Sequence, residues 1–390
     1  MLPLWSWLIF IFAFGCCVGS FLNVVIYRMP RDKSLIYPGS SCPACGKRIR
    51  FYDNIPLISW IVLRAKCRYC KSLISPRYFV IELLTGIVFV GLFVLYFMSG
   101  MRDLNIPGES SEAAFLNGGW FVYLLHLVLL SSLIVCSAID LELWVIPVVI
   151  CWLVTIAGIA GSGAGFFIVR LTENAGISPL PSAGAGGAAI AAGAAVGFII
   201  SVVLLLTGLL KRSYETEGAK ESSQQNDKKE QEQDDKYNHR KEIGKEVLFV
   251  LPIIACSVFF YLFMSRVKPQ WWSDFVGYGP VGAVFGSLLG FFAGGAIVWA
   301  TRIFGTLAFN REAMGLGDVY LMAGAGAIIG PLEVVAAFFI APFFGLGWAS
   351  FQLFFKKIRQ IPYGPFLSMG ILTGMILNDI IVSYWKFLGL

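Results

Sequence analysis

The sequence predicts an all-α polytopic integral membrane protein, with about ten transmembrane helices and one small soluble loop domain. Three observations predict it. Of the 390 residues, 57% are hydrophobic and only 14% are charged, against ~45–50% and ~25% in soluble domains. Apolar stretches long enough to cross ~30 Å of hydrocarbon recur along the chain. The Lys and Arg residues gather in alternate loops. Together these exclude a single soluble domain, a disordered chain and a nucleic-acid binder.

The first span occupies 1–27. Residues 4–27 are apolar and no basic residue precedes Arg28, so this reads as a retained span and not a cleaved signal. Residues 28–77 form a basic loop domain, and 78–161 hold spans at 78–98, 120–139 and 144–161. The segment 162–280 opens with an external loop, 162–187, rich in Gly, Ala, Ser and Pro, and adds spans at 188–210 and 247–264. Between those spans lie 211–246, with 9 basic residues, 10 acidic ones and only Tyr214 and Tyr237 as aromatics. Such a segment cannot bury a core and reads as disordered. Residues 281–390 complete the chain with spans at 281–301, 319–331, 333–355 and 363–385. Small residues recur at helical spacing at Gly193 and Gly197, Gly286, Gly290 and Gly294, and Gly326 and Gly330, which predicts close helix packing.

With ten spans, 25 of the 30 basic residues fall in the loops 28–77, 211–246, 302–317 and 356–361, all on one side. The positive-inside rule makes that side the cytoplasm and puts both termini outside. Residues 28–77 hold eleven basic and two acidic residues, so this loop carries +9 in a chain of net +6. That charge suits an anionic lipid surface.

Nine cysteines are present. Cys16, Cys17, Cys136, Cys151 and Cys256 lie in apolar spans and read as small buried side chains. The other four form Cys42-Pro-Ala-Cys45 and Cys67-Arg-Tyr-Cys70, with 21 residues between the pairs. Two CxxC knuckles at this separation match a zinc ribbon in which four thiolates hold one Zn2+. A cytoplasmic loop is reducing, which disfavours disulfides. With every tetrahedral position taken by sulfur, the site is structural and not hydrolytic.

Few acidic residues lie near the spans, and each needs a reason, because charge in hydrocarbon is costly. Glu82 has Arg77 nearby as an ion-pair partner, Glu142 is interfacial, and Glu333 and Asp379 lie toward the outside. Asp140 closes the third span and Asp318 opens the eighth, both at the cytoplasmic side, although 178 residues separate them. Two carboxylates at one depth can share a proton and activate water. Gly315 and Gly317 before Asp318 leave room for another backbone to approach, as an extended peptide substrate requires. The bland reading of each aspartate is a helix cap or an ion-pair partner.

In order, the chain carries Gly19–Pro30 (GSFLNVVIYRMP), Ser41–Gly46 (SCPACG), Tyr52–Trp60 (YDNIPLISW) and Cys67–Cys70. Ser75–Tyr78 (SPRY), Glu82–Gly86 (ELLTG), Ile139-Asp140, Ile146-Pro147, Glu312–Val319 (EAMGLGDV) and Ile361–Phe366 (IPYGPF) follow. As a set these resemble the bacterial type IV prepilin peptidases, membrane aspartic peptidases of the GxGD type, over roughly 15–160 and 281–385. The resemblance implies cleavage of the basic leader of type IV prepilins and type II secretion pseudopilins, at the cytoplasmic face of the inner membrane, usually between Gly and Phe. It implies Asp140 and Asp318 as catalytic residues. Members with the four cysteines usually also methylate the new N-terminus with S-adenosylmethionine, although no methyltransferase residue can be assigned. Three departures stand out. Tyr320 occupies a position where the family often has Lys, Val148 one where it usually has Asp, and about 120 residues (162–280) are inserted. Two added spans keep Asp318 on the side of Asp140.

The chemistry expected of such a pair is general acid–base hydrolysis without a covalent intermediate. Asp318 stands at a helix N-terminus and is expected to act as the base. Asp140 stands at a helix C-terminus and is expected to hold the proton at rest. Three rival functions remain on sequence alone: a multispan transporter using Asp140 and Asp318 as a proton relay, a peptidase-like scaffold that has lost activity, and a peptidase without methyl transfer.

Overall fold

The computed structural model describes residues 3–103, 110–171, 181–211, 213, 239–354 and 362–387. Among these residues the regular structure is helical, apart from two isolated β-bridges in the cysteine loop, which is otherwise turns and irregular chain. The helices are α1 (Leu4–Arg28), α2 (Pro76–Phe93), α3 (Trp120–Leu143), α4 (Val148–Leu171), α5 (Ala185–Leu206) and α6 (His239–Val267). They continue as α7 (Gly279–Phe309), α8 (Leu316–Ile329), α9 (Pro331–Phe354), α10 (Gly364–Ile376) and α11 (Asn378–Phe387).

Each of the ten expected spans has a helix, but they are not ten equal crossings. Among the described residues eight helices are long and apolar enough to span a membrane. The last segment is a broken one: α10 and the start of α11 meet at 72°. Helix α8 has 14 residues, which at 1.5 Å each is ~21 Å, short of the ~30 Å hydrocarbon layer. It ends at Gly330 (φ +91°), and Pro331 starts α9 at once. Val319 and every residue from Leu321 to Ile329 are buried, so α8 is enclosed on all faces.

Two boundaries differ from expectation for the same physical reason. Helix α7 runs on to Phe309, so Arg302 lies inside a helix and not in a loop over 302–317. Helix α6 begins at His239, so the last residues of the expected loop 211–246 are helical. The rest of that loop, 212 and 214–238, and residues 172–180 of the expected external loop lie outside the described residues. In both cases charge was read as solvent exposure, whereas Glu246 and Arg302 are 4% and 2% exposed and face one another.

The glycine spacings mark backbone crossings. Helix α8 packs chiefly on α7 and α4. A Cβ on Gly290 would stand 2.0 Å from the Gly326 carbonyl oxygen, and one on Gly294 2.2 Å from that of Met322. Helices α5 and α6 pack against each other in the same way, with Gly193 on the Cys256 carbonyl and Gly197 on that of Pro252.

Gly290→Ala is therefore expected to destabilise the bundle by ~1–3 kcal/mol through overpacking against a carbonyl that cannot move away. Thermal unfolding of the detergent-solubilised protein measures this. Gly347→Ala, where nothing lies within 4 Å of the added carbon, should leave the midpoint unchanged or raise it.

Candidate active site and metal centre

The last turn of α3 presents Asp140, and the first turn of α8 presents Asp318. Both are buried, at 6% and 8% exposure, and they are close enough for their charges to interact. Ile146, in the link between α3 and α4, is the common neighbour. A Cβ on Gly317 would meet its Cβ at 2.8 Å, and a Cβ on Gly364 would meet its Cδ1 at 3.4 Å.

A third strand of chain completes the site. The Gly364 N–H donates to Asp140 Oδ2 at 3.0 Å, and a Cβ on Gly364 would stand 2.6 Å from that oxygen. Ser137, one turn before Asp140, donates to Ser368 Oγ at 2.8 Å, tying α3 to α10 a second time. Tyr363 lies within electrostatic reach of Asp318. Residue types alone gave no sign of the role of Gly364. It stands at the start of the expected span 363–385, and only the fold brings its amide to a carboxylate.

The two motif glycines act differently. Gly317 is required for packing on Ile146. Gly315 has φ −73° and ψ 150°, which any residue can adopt. A Cβ there would stand 3.6 Å from Asp318 Oδ2, so this glycine keeps the space beside the carboxylate clear.

The other acidic residues are committed elsewhere. Arg77 pairs with Glu142, not with Glu82 as expected. Glu82 accepts the Leu57 N–H at 2.8 Å instead, where Leu57 adopts φ +60°. That bond fastens the cysteine loop to α2. Because Glu142 is two residues beyond Asp140, the Arg77 pair sets the loop at the same end of the bundle as the aspartates. Glu333 pairs with Arg102 at the other end of α8, with Asp379 nearby. The Tyr320 ring lies tilted beside that of Trp152, with centroids 6.5 Å apart, and Val148 begins α4 partly exposed.

In the loop, Cys42, Cys45, Cys67 and Cys70 bring their sulfurs within 4.8 Å of one another. The two knuckles repeat one backbone pattern. The Cys42 N–H bonds to the Lys47 carbonyl and the Gly46 N–H returns to Cys42; likewise Cys67 N–H bonds to Ser72 and Lys71 N–H returns to Cys67. The Sγ atoms of Cys42 and Cys70 are 3.8 Å apart. A tetrahedral ion with ~2.3 Å metal–sulfur bonds needs sulfurs ~3.8 Å apart, so the set fits one.

The thiols do not behave alike. Burial opposes ionisation of Cys42, but the Cys45 and Ala44 N–H groups and the Ser72 hydroxyl outweigh it and bring this thiol down to about 6. Cys45 receives the Lys47 N–H, which favours its thiolate, yet Cys42 and Cys70 push it up to about 11. One cation at the centre would remove that conflict. Outside the knuckles, Asp53 accepts two hydrogen bonds from Arg68, at 2.6 and 2.8 Å. The Arg68 bonds hold the Asp53 carboxyl below its usual range.

Residues 13–96 match the model of the bacterial peptidase A24 N-terminal domain. That range takes in α1, the cysteine loop and α2, and stops before Asp140. The chain is 38% identical over 184 residues to a prepilin leader peptidase/N-methyltransferase of Myxococcus xanthus (strain DK1622), covering 43% of this chain and 48% of that protein. It is 37% identical over 147 residues to the protein of that name from Klebsiella pneumoniae, covering 36% and 55%. A type 4 prepilin-like proteins leader peptide-processing enzyme of Escherichia coli O78:H11 is 44% identical over 94 residues, covering 20% and 35%. The chain spans about half the length of the first curated relatives it matches. No solved structure matches. These comparisons bear out the resemblance read from the motifs.

The purified protein should carry one metal ion per chain, measured by elemental mass spectrometry. Cys42→Ser or Cys67→Ser should bring that toward zero and expose 41–74 to protease. Undiminished metal in a variant lacking all four thiols would show that the ion sits elsewhere.

Proposed function

We propose that this chain is a membrane aspartic endopeptidase that removes the basic leader of type IV prepilins or pseudopilins at the cytoplasmic face of the bacterial inner membrane. It then methylates the new N-terminal amine, with S-adenosylmethionine as methyl donor. The observation that carries the reading is that Asp140 and Asp318 are both buried, with Ile146 packed against Gly317 on one side and Gly364 on the other and the Gly364 amide on Asp140, joined to an N-terminal region that matches a peptidase A24 domain. The names of the relatives supply the substrate class and the second activity.

Two buried carboxylates at interacting distance hold one proton between them more easily than two charges. The ionised one takes a proton from water while the water oxygen adds to the scissile carbonyl carbon. The protonated one gives its proton to the carbonyl oxygen. Collapse of the resulting diol breaks the C–N bond, and the amine leaves with a proton. Asp318 is assigned as the base and Asp140 as the acid on their helix ends alone. Gly364 N–H fixes Asp140 Oδ2, which leaves Oδ1 to face the substrate. The open volume beside Gly315 suits the extended backbone of a leader peptide.

The four-thiol site is assigned to zinc, which would hold the loop's two knuckles together as a structural ion. The loop's charge does not select a basic leader by attraction, so its part is positional. Its anchors are Glu82 to Leu57 and Arg77 to Glu142. The proton-relay alternative is not favoured. Of the other buried carboxylates, Glu333 is held by Arg102, Glu246 by Arg302, Glu242 by Lys245, and Glu82 by a backbone amide. Among the described residues this leaves no row of open carboxylates across the bundle.

Asp140→Asn and Asp318→Asn should each lower leader cleavage by ~10²–10⁴-fold, read as a gel shift of co-expressed prepilin. Wild-type turnover in either variant would remove the dyad. Gly364→Ala should cost about 10²-fold by displacing Asp140. Mass spectrometry of the mature pilin should find one methyl group on its N-terminus. An unmethylated N-terminus would reduce the protein to a peptidase alone.

A further inference from the structure

The loop that leads into Asp318 is held from α7. Asn310 ends that helix in a left-handed turn (φ +51°), and the Ala313 N–H donates to Thr306 Oγ1 at 3.1 Å. Arg302, one turn earlier, is 2% exposed. One of its terminal nitrogens, Nη1, donates to Glu312 Oε1 at 2.5 Å and also to the Met314 carbonyl. Met314 directly precedes Gly315, whose carbonyl accepts the Asp318 N–H at 3.2 Å. Arg302 is also close enough to Asp318 for their charges to interact.

The other edge of the same guanidinium faces the inserted segment. Nε donates to both oxygens of Glu246, at 3.0 and 3.1 Å, and Nη2 lies 3.0 Å from Oε1. Glu246 is 4% exposed and belongs to α6. Trp299 Nε1 donates to Glu246 Oε2 at 3.0 Å, and the Trp299 ring stacks on Phe249 of α6. A guanidinium is planar, so a carboxylate that takes Nε and Nη2 together sets the direction in which Nη1 points.

We propose that Glu246 is a positioning residue for the catalytic loop: it orients Arg302 so that Nη1 holds the Met314 carbonyl and hence Gly315 and Asp318. The inserted pair α5 and α6 is then a working part of the site, and not a passive addition at the periphery. Glu246 touches no reacting atom in this scheme. The inference rests on the peptidase reading, although the coupling of Glu246 to 310–318 can be measured without it.

The test uses the full chain in proteoliposomes with a prepilin whose basic leader ends in Gly before Phe. Glu246→Gln should lower kcat by ~10²-fold, the scale of a small misplacement of a reacting group, and change KM by no more than about twofold. Glu246→Asp, which keeps the charge, should recover part of the loss. Amide hydrogen exchange over 310–318 should quicken about tenfold in Glu246→Gln. Ser201→Ala removes a 2.6 Å bond from α5 to the Phe249 carbonyl and leaves Arg302 alone. It should loosen α5 and α6 while 310–318 and kcat stay as in wild type. Unchanged exchange over 310–318 in Glu246→Gln overturns the proposal, and so does wild-type kcat in that variant when Asp318→Asn is inactive. If the unaltered protein fails to cut any prepilin while exchange over 310–318 still quickens, the peptidase reading fails and the coupling stands.

Discussion

The whole site depends on one short helix being buried on every side. Helix α8 has 14 residues and lacks the length to cross a bilayer alone. It is kept inside the bundle by backbone contact. Gly290 and Gly326 approach so closely that neither tolerates a Cβ, and Gly294 lies on the Met322 carbonyl. Without water to serve exposed amides and without a hydrophobic force between helices in lipid, such close packing is what holds the helix. Its N-terminal turn then sets Asp318 within reach of Asp140.

A second constraint is what the bundle does with charge. A buried ion must be paired or neutral. Arg302 has Glu246 and Glu312, Arg102 has Glu333, and Arg77 has Glu142. Among the described residues Asp140 and Asp318 make no ion pair; Asp140 has the Gly364 amide, and Asp318 lies near enough to feel the charge of Asp140. Charges that serve the structure are held in ion pairs, and the two carboxylates without one stand where a glycine keeps space open. The cysteine loop obeys a related rule in water. Too small for a core, it is organised by four sulfurs and by two tethers into the bundle, Glu82 and Arg77.

Helices α5 and α6 are tied to the site through α7. Helices α5 and α6 pack on each other through Gly193 and Gly197, and on α7 through Glu246, Trp299 and Phe249. Helix α7 is long enough, at 31 residues, to carry Arg302 beyond the expected end of the span. The same side chain therefore meets the insertion on one edge and the loop before Asp318 on the other.

Much was legible in the sequence because membrane and metal chemistry write strong local signals. Hydropathy located a helix for each of the ten segments, the knuckle spacing located the four thiols, and depth marked Asp140 and Asp318 as a candidate pair across 178 residues. What sequence could not decide was where charge is buried. Glu246 reads as the end of a solvated run, Arg302 as a topology signal and Glu82 as a partner for Arg77, because hydropathy scores each residue by its own transfer cost. Burial of an ion depends on its partner, and the partners of Arg302 and Glu82 come from α6 and from the cysteine loop. The Gly364 amide is hidden for the same reason: every glycine carries that N–H, and only the fold aims this one at a carboxylate.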